Sequence, residues 1–215
     1  MPYINDVFIS YKRGRIIEQW INEIFLPLFT ENLDYELPDP PKIFIDSTGL
    51  TPGVGYWDEL FVNLFYSKCI VSIWSPPYFR RSEWCVKEFL TMKHRQELWE
   101  LGPLKMPKTL IWPVIYREVN PLPEIASGLQ YSNYSEFNLV GDAFFKTKSY
   151  LLFQKKLQKD IKYVSEIILH APPLNTEWET YEGKAKIIST LNEYFSKVQG
   201  IESTINQKLV TWSEK

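Results

Sequence analysis

Ser82-Glu83-Trp84-Cys85-Val86-Lys87-Glu88-Phe89 follows a short apolar run, Cys69 to Trp74, and a Ser75-Pro76-Pro77 turn. A β-branched and aromatic run closed by two prolines reads as a buried strand that stops abruptly. Ser82 suits an N-cap and Glu83 puts an acid in the first turn, so a helix starts here. On that helix Trp84 and Glu88 are four residues apart and share a face, with Cys85, Phe89 and Met92 as an apolar stripe beside them. One carboxylate therefore sits beside an aromatic ring, near the carboxyl end of a strand. In open parallel sheets ligands bind at that edge. Glu88 has two readings: a functional carboxylate, or a solvated helix residue paired with Lys87 or Arg95.

The same alternation extends in both directions. Asp6 to Tyr11 reads as a buried strand, followed by the basic turn Lys12-Arg13-Gly14-Arg15. Ile17, Trp20, Ile21, Ile24, Phe25 and Leu28 predict an amphipathic helix over 16–30, bent or ended by Pro27. Leu37 to Pro41 is an extended, proline-rich loop. Ile43 to Ile45 is a second strand, closed by Asp46, and Ser47 to Gly55 is a Gly-containing loop. Tyr56 to Tyr66 has helical spacing. Strands at Cys69–Trp74 and Thr109–Tyr116 enclose the Trp84 helix, which runs to about Leu98. Pro113 predicts an edge position or an early stop for the fourth strand. A weak strand lies near Leu129 to Tyr134, and residues 144–169 form a long helix with Phe153, Leu157, Ile161, Val164 and Ile168 on one face. Residues 180–198 allow a last helix, with Ile187, Leu191 and Phe195 aligned. Alternating short strands and helices predict an α/β fold: a parallel sheet covered on both faces.

Composition narrows the function. The chain has 215 residues, of which 45% are hydrophobic and 16% aromatic, enough for a real core. A net charge of −2 gives no reason to expect nucleic acid as a partner. No apolar run approaches the roughly 20 residues that span a bilayer, and no basic-then-apolar leader opens the chain. Cys69 and Cys85 lack metal-type spacing and read as small core residues, which suits a cytoplasmic protein. His94 and His170 are isolated, so no metal site is expected. Neither a Gly-x-Gly-x-x-Gly fingerprint nor a P-loop is present.

In order, these motifs resemble a TIR (Toll/interleukin-1 receptor) domain. Asp6 to Arg13 is similar to that family's opening strand and loop. Ile43 to Asp46, with Leu50, Gly53 and a helix near Trp57, is similar to its second strand and BB loop. Ser67 to Ser75 resembles its third strand, and Ser82 to Glu88 its Trp-Cys-x-x-Glu box. The match covers roughly 4–116, and more loosely to about 170. It implies a flavodoxin-like TIR domain over 1–170, leaving 171–215 as a helical C-terminal extension. It also implies either scaffolding through TIR–TIR contacts or cleavage of NAD+ at the nicotinamide–ribose bond. In the enzymatic branch the glutamate of the box is catalytic, and that position here is Glu88.

The resemblance assigns further roles. Phe8, Ile9 and Ser10 end the first strand and would line the cleft, though Phe8 and Ile9 also read as core. Arg13 would meet phosphate or adenine, or stand as a solvated charge; Lys12, Arg80 and Arg81 would attract pyrophosphate. Asp46 would face ribose or cap the loop, Trp57 would flank ligand or pack inside, and Trp84 would pack beside Glu88. NAD+ enters as substrate, so no cofactor is implied. The chain carries no death, leucine-rich or transmembrane segment and so resembles bacterial stand-alone TIR proteins of antiphage defence. Those self-associate and rely on a separate sensor or effector.

Overall fold

The computed structural model describes residues 2–45 and 56–174, with 189, 192–194 and 196–197 of the C-terminal part; the side chains of 56–59 and 61 fall outside it. The loop over 47–55, Asp46, the side chain of Trp57, and Ile187, Leu191 and Phe195 of the last helix therefore lie outside the described residues. Five strands, β1 (Asn5–Tyr11), β2 (Ile43–Ile45), β3 (Ser67–Trp74), β4 (Ile111–Ile115) and β5 (Ser132–Asn133), form one sheet in the order β2-β1-β3-β4-β5. Every pairing is parallel. This is the flavodoxin-like strand order, and its switch point falls between β1 and β3.

Alternation along the strands sorts the core into two layers. Val7, Ile9, Cys69, Val71, Trp112 and Val114 face one side, where they meet α1 (Arg15–Trp20), α2 (Leu26–Glu36) and α6 (Lys148–Leu169). Phe8, Ile70, Trp74 and Ile111 face the other, against α3 (Tyr56–Phe65), α4 (Pro76–Arg81) and α5 (Glu83–Leu98). Both faces of the sheet are covered, as the near-continuous apolar strands require.

Three elements differ from the sequence reading, each through a proline. The first helix does not stop at Pro27. It continues to Glu36 through a π-helical turn, Ile21–Phe25, which widens the backbone just before Pro27 in the first turn of α2. Ser75-Pro76-Pro77 is not only a turn: it opens α4, with proline in the first turn, where a missing N–H costs nothing. And β4 is an interior strand despite Pro113, because its ladder to β5 begins only at Val114. The long C-terminal helix starts at Lys148, four residues late. Thr147 accepts a hydrogen bond from the Tyr150 amide at 3.2 Å and caps it there.

Aromatic packing holds the first layer. The Phe25 ring stacks on Trp20 at 5.1 Å and Phe29 at 5.3 Å, and reaches Trp112 at 6.2 Å. At the amino edge the buried Arg95 of α5 donates to the Ser67 carbonyl at 2.5 Å and to the Tyr3 hydroxyl. Tyr3 in turn donates to the Pro172 carbonyl, tying the chain after α6 to the start of β1.

Phe25→Ala is expected to cost about 3–5 kcal/mol in urea unfolding. Tyr35→Ala, at an exposed position of α2, should stay within about 0.5 kcal/mol. Equal losses would put Phe25 outside the stabilising core. A second test uses pH. Burial, with the Asp6 charge behind it, pushes the Cys69 thiol from 9.0 up to about 12. The folded chain keeps a proton that the unfolded chain gives up, so this stabilisation is complete below the ordinary thiol range and is lost as pH rises towards the folded value. Unfolding free energy should fall between pH 9.0 and about 12, less steeply in Cys69→Ala. Identical slopes would remove the thiol from the explanation.

Candidate functional site

β1 and β3 each carry one serine that faces the α3–α5 layer, and the two are register partners, Ser10 opposite Ser72. A hydroxyl in the middle of an apolar sheet needs a partner. α4 supplies it. Tyr78 is fully buried, and its hydroxyl lies 2.9 Å from Ser10 Oγ and accepts from Ser72 Oγ at 2.8 Å. It also donates to the Cys85 carbonyl at 2.9 Å. Trp74 completes this end of the network by donating its indole N–H to Ser72 Oγ at 2.7 Å.

The other end is Glu88. Ser82 caps α5 by accepting from the Cys85 amide at 3.3 Å, which fixes the phase of the helix. Glu88 then points into the layer, 5% exposed, and accepts from Ser10 Oγ at 2.5 Å. Short, charge-assisted bonds of this kind orient a carboxylate firmly. Burial, the largest cause, pushes the Tyr78 hydroxyl well above its ordinary range, and the Glu88 carboxylate adds to this, so the hydroxyl stays protonated at neutral pH. Burial pushes the Cys85 thiol up as well, with Glu88 next in effect, so that group is neither thiolate nor nucleophile.

The structure joins Glu88 and Ser10 and disperses other expected site residues. Glu88 is not a solvated helix residue, and its lysine and arginine neighbours are engaged elsewhere: Lys87 sits 5.3 Å from the Trp84 ring centre and Arg95 binds Ser67. Trp84 is 42% exposed on the rim, while Glu88 is inside. Phe8 is core and stacks on Phe44 at 5.2 Å; Ile9 is core in the opposite layer. Asp46 and the Trp57 side chain lie outside the described residues. Arg80 and Arg81 are exposed at the end of α4. Among the described residues no cluster of three or more His, Cys, Asp or Glu side chains is placed to hold a metal.

Arg13 belongs to a second feature. A cleft of about 690 Å³ opens where β1, β3 and β4 end, lined by the turn after β1, the first turns of α1 and α4, and the residues after β4. Lys12, Arg13, Arg15 and Arg117 surround it, while Ile16, Pro76 and Tyr116 give it apolar walls. It sits at the switch point, its size suits a nucleotide, and among the described residues no acidic side chain lines it. Arg15, read only as part of a basic turn, and Arg117 escaped as site residues because nothing in their spacing shows that the ends of β1 and β4 flank the end of β3. Tyr78 escaped because two prolines hid α4. The available signal was the pair of serines inside two apolar strands.

No protein-family model matches this chain, and no curated protein matches it. Solved structures similar to it include the following two. One is the TIR domain of the Toll-related receptor TRR-2 from Hydra magnipapillata, at 19% identity and TM-score 0.46, covering 74% of this chain and 98% of that one. The other is the TIR domains of the activated Roq1 resistosome that recognises the pathogen effector XopQ, at 18% identity and TM-score 0.38, covering 88% and 98%. At these scores the fold assignment rests on this chain's own strand order and register. Both neighbours are TIR domains, the family that the sequence motifs resemble.

Proposed function

We propose that this chain is a TIR-type NAD+ nucleosidase that cleaves the nicotinamide–ribose bond, with Glu88 as its catalytic carboxylate. The observation that carries this reading is the buried Glu88, hydrogen-bonded to Ser10 near the carboxyl end of β1, in a parallel sheet whose strand ends also carry a basic cleft that Glu88 itself does not line.

The chemistry needs little more. As the bond between ribose C1′ and the pyridinium nitrogen breaks, its electron pair goes to nitrogen and nicotinamide leaves as a neutral molecule. No acid is needed to protonate it, unlike the leaving oxygen of an ordinary glycoside. Positive charge develops on the ribosyl carbon, and a fixed carboxylate stabilises it. A water oxygen then bonds to C1′ and releases its proton, giving ADP-ribose. Attack by a nucleophile within the nucleotide gives a cyclic isomer, and another acceptor gives a conjugate. Lys12, Arg13, Arg15 and Arg117 supply positive charge for the pyrophosphate. NAD+ is the substrate and no cofactor takes part. Following the same family resemblance, we place the reaction in the cytoplasm, in bacterial antiphage immunity, where a nucleotide product signals to a separate effector and self-association raises activity.

Wild-type protein is expected to release nicotinamide from NAD+, with a rate per chain that rises with protein concentration. Glu88→Gln should lower kcat by about 100-fold or more. Arg117→Glu should instead raise KM by about tenfold, since it reverses a charge at the cleft and leaves the carboxylate in place. Chromatography with mass spectrometry reads nicotinamide and identifies the second product. Intact NAD+ at every concentration would leave the chain an assembly module.

A further inference from the structure

Five of the contacts among the buried polar groups below the sheet edge form one chain: Trp74 to Ser72, Ser72 to Tyr78, Tyr78 to the Cys85 carbonyl, Tyr78 to Ser10, and Ser10 to Glu88. The side chains that make these five contacts, Glu88 aside, bring four protons to them: one indole N–H and the hydroxyls of Ser72, Tyr78 and Ser10; the Cys85 S–H serves its own contact with Ser10. The Cys85 carbonyl only accepts, and so does an ionised carboxylate. With Glu88 ionised, Ser10 donates to it and Tyr78 has one proton for two neighbours, the carbonyl and Ser10. One of these contacts then lacks a proton. A proton on Glu88 completes the set: Glu88 donates to Ser10, Ser10 to Tyr78, and Tyr78 to the carbonyl.

We infer that Tyr78 is a positioning residue for Glu88: its hydroxyl, acting through Ser10, fixes the carboxylate and sets how readily that carboxylate gives up its proton. The role in catalysis rests on the NAD+ cleavage proposed above; the coupling itself does not. Tyr78→Phe keeps the ring and removes the hydroxyl. Ser10 then donates to an ionised Glu88 without facing a second oxygen, so the variant favours the ionised form. The sign is therefore a downward shift of the Glu88 titration, by about half a unit to one unit for one hydrogen bond. Other groups at this corner act in both proteins alike. On α5 the Cys85 thiol stays neutral, Lys12 after β1 contributes positive charge to it, and Lys87 lies against Trp84. The described side chains of α3 are uncharged.

The test is a carbon-13 NMR titration of side-chain carboxyls in the full chain without NAD+, the Glu88 signal being assigned by its loss in Glu88→Gln. The expected result is a lower Glu88 midpoint in Tyr78→Phe. The shift should vanish when the same change is made in a Ser10→Ala background, because the coupling runs through Ser10. A wild-type readout covers the case in which Tyr78→Phe does not fold: the Tyr78 ring carbon bearing the hydroxyl should shift at the Glu88 midpoint and cease to do so in Glu88→Gln. An unchanged Glu88 midpoint in folded Tyr78→Phe, or a Tyr78 ring carbon blind to Glu88, overturns the inference. A shifted midpoint in a protein that leaves NAD+ intact upholds it and sinks the proposed reaction instead.

Discussion

A carboxyl group at 5% exposure has to be satisfied by the protein around it. Left without partners, it would cost several kcal/mol, comparable to the whole stability of a domain of this size. Ser10 meets that demand, and much of the architecture follows from where Ser10 must be. β1 has to pair with β3 so that Ser10 lies opposite Ser72. A one-residue slip would send Ser10 into the opposite layer, among Trp20 and Phe25, and leave Glu88 facing an apolar side chain. The short helix α4 then has to cross close above both serines to bring in Tyr78. A polar cluster inside an otherwise apolar layer specifies one register where packing alone would tolerate others.

The opposite end of α5 is held by different chemistry. Glu88 and Arg95 are separated by about two helical turns and both are buried, yet they do not neutralise each other. Arg95 spends its donors on the Ser67 carbonyl and the Tyr3 hydroxyl at the amino edge, where burial pulls the guanidinium down from its ordinary value. Keeping the two charges at opposite edges of the sheet leaves the carboxylate free of a salt bridge to Arg95. An ion pair between them would have been easier to stabilise and would have hidden the carboxylate from any cationic partner.

Much of this was legible in the residues. Strand positions were readable because buried parallel strands are short apolar runs, and α5 because Ser82 and Glu83 mark its start. Glu88 stood out because the stretch around it resembles the Trp-Cys-x-x-Glu box. What was not legible depends on contacts between distant residues. Phe8 and Ile9 are adjacent in sequence but face opposite layers, as the period of a strand requires, and both are core, one of the two readings their sequence allowed. Trp84 and Glu88 share a helix face by spacing, yet Trp84 is exposed and Glu88 is buried against Ser10, a contact with β1 that the spacing does not contain. Proline misled the reading at 76–77 and 113, and at 27 the helix continues and does not end, since the effect of a proline depends on whether the hydrogen bond it forfeits was needed.

The arrangement of charge carries the functional argument further than any one side chain. The carboxylate is buried on the α3–α5 face, while four cations ring a cleft at the strand ends, lined in part by the Lys12–Gly14 turn. NAD+ has the complementary pattern: a cationic pyridinium ring at one end of a ribose and two anionic phosphates at the other. The low-dielectric setting of Glu88 strengthens its pull on a developing cation, whereas the open, solvated cleft suits phosphates that must also leave. Placing the cations inside and the carboxylate outside would weaken both effects. The burial that makes Glu88 costly to the fold is thus the same property that would make a single carboxylate sufficient for the reaction.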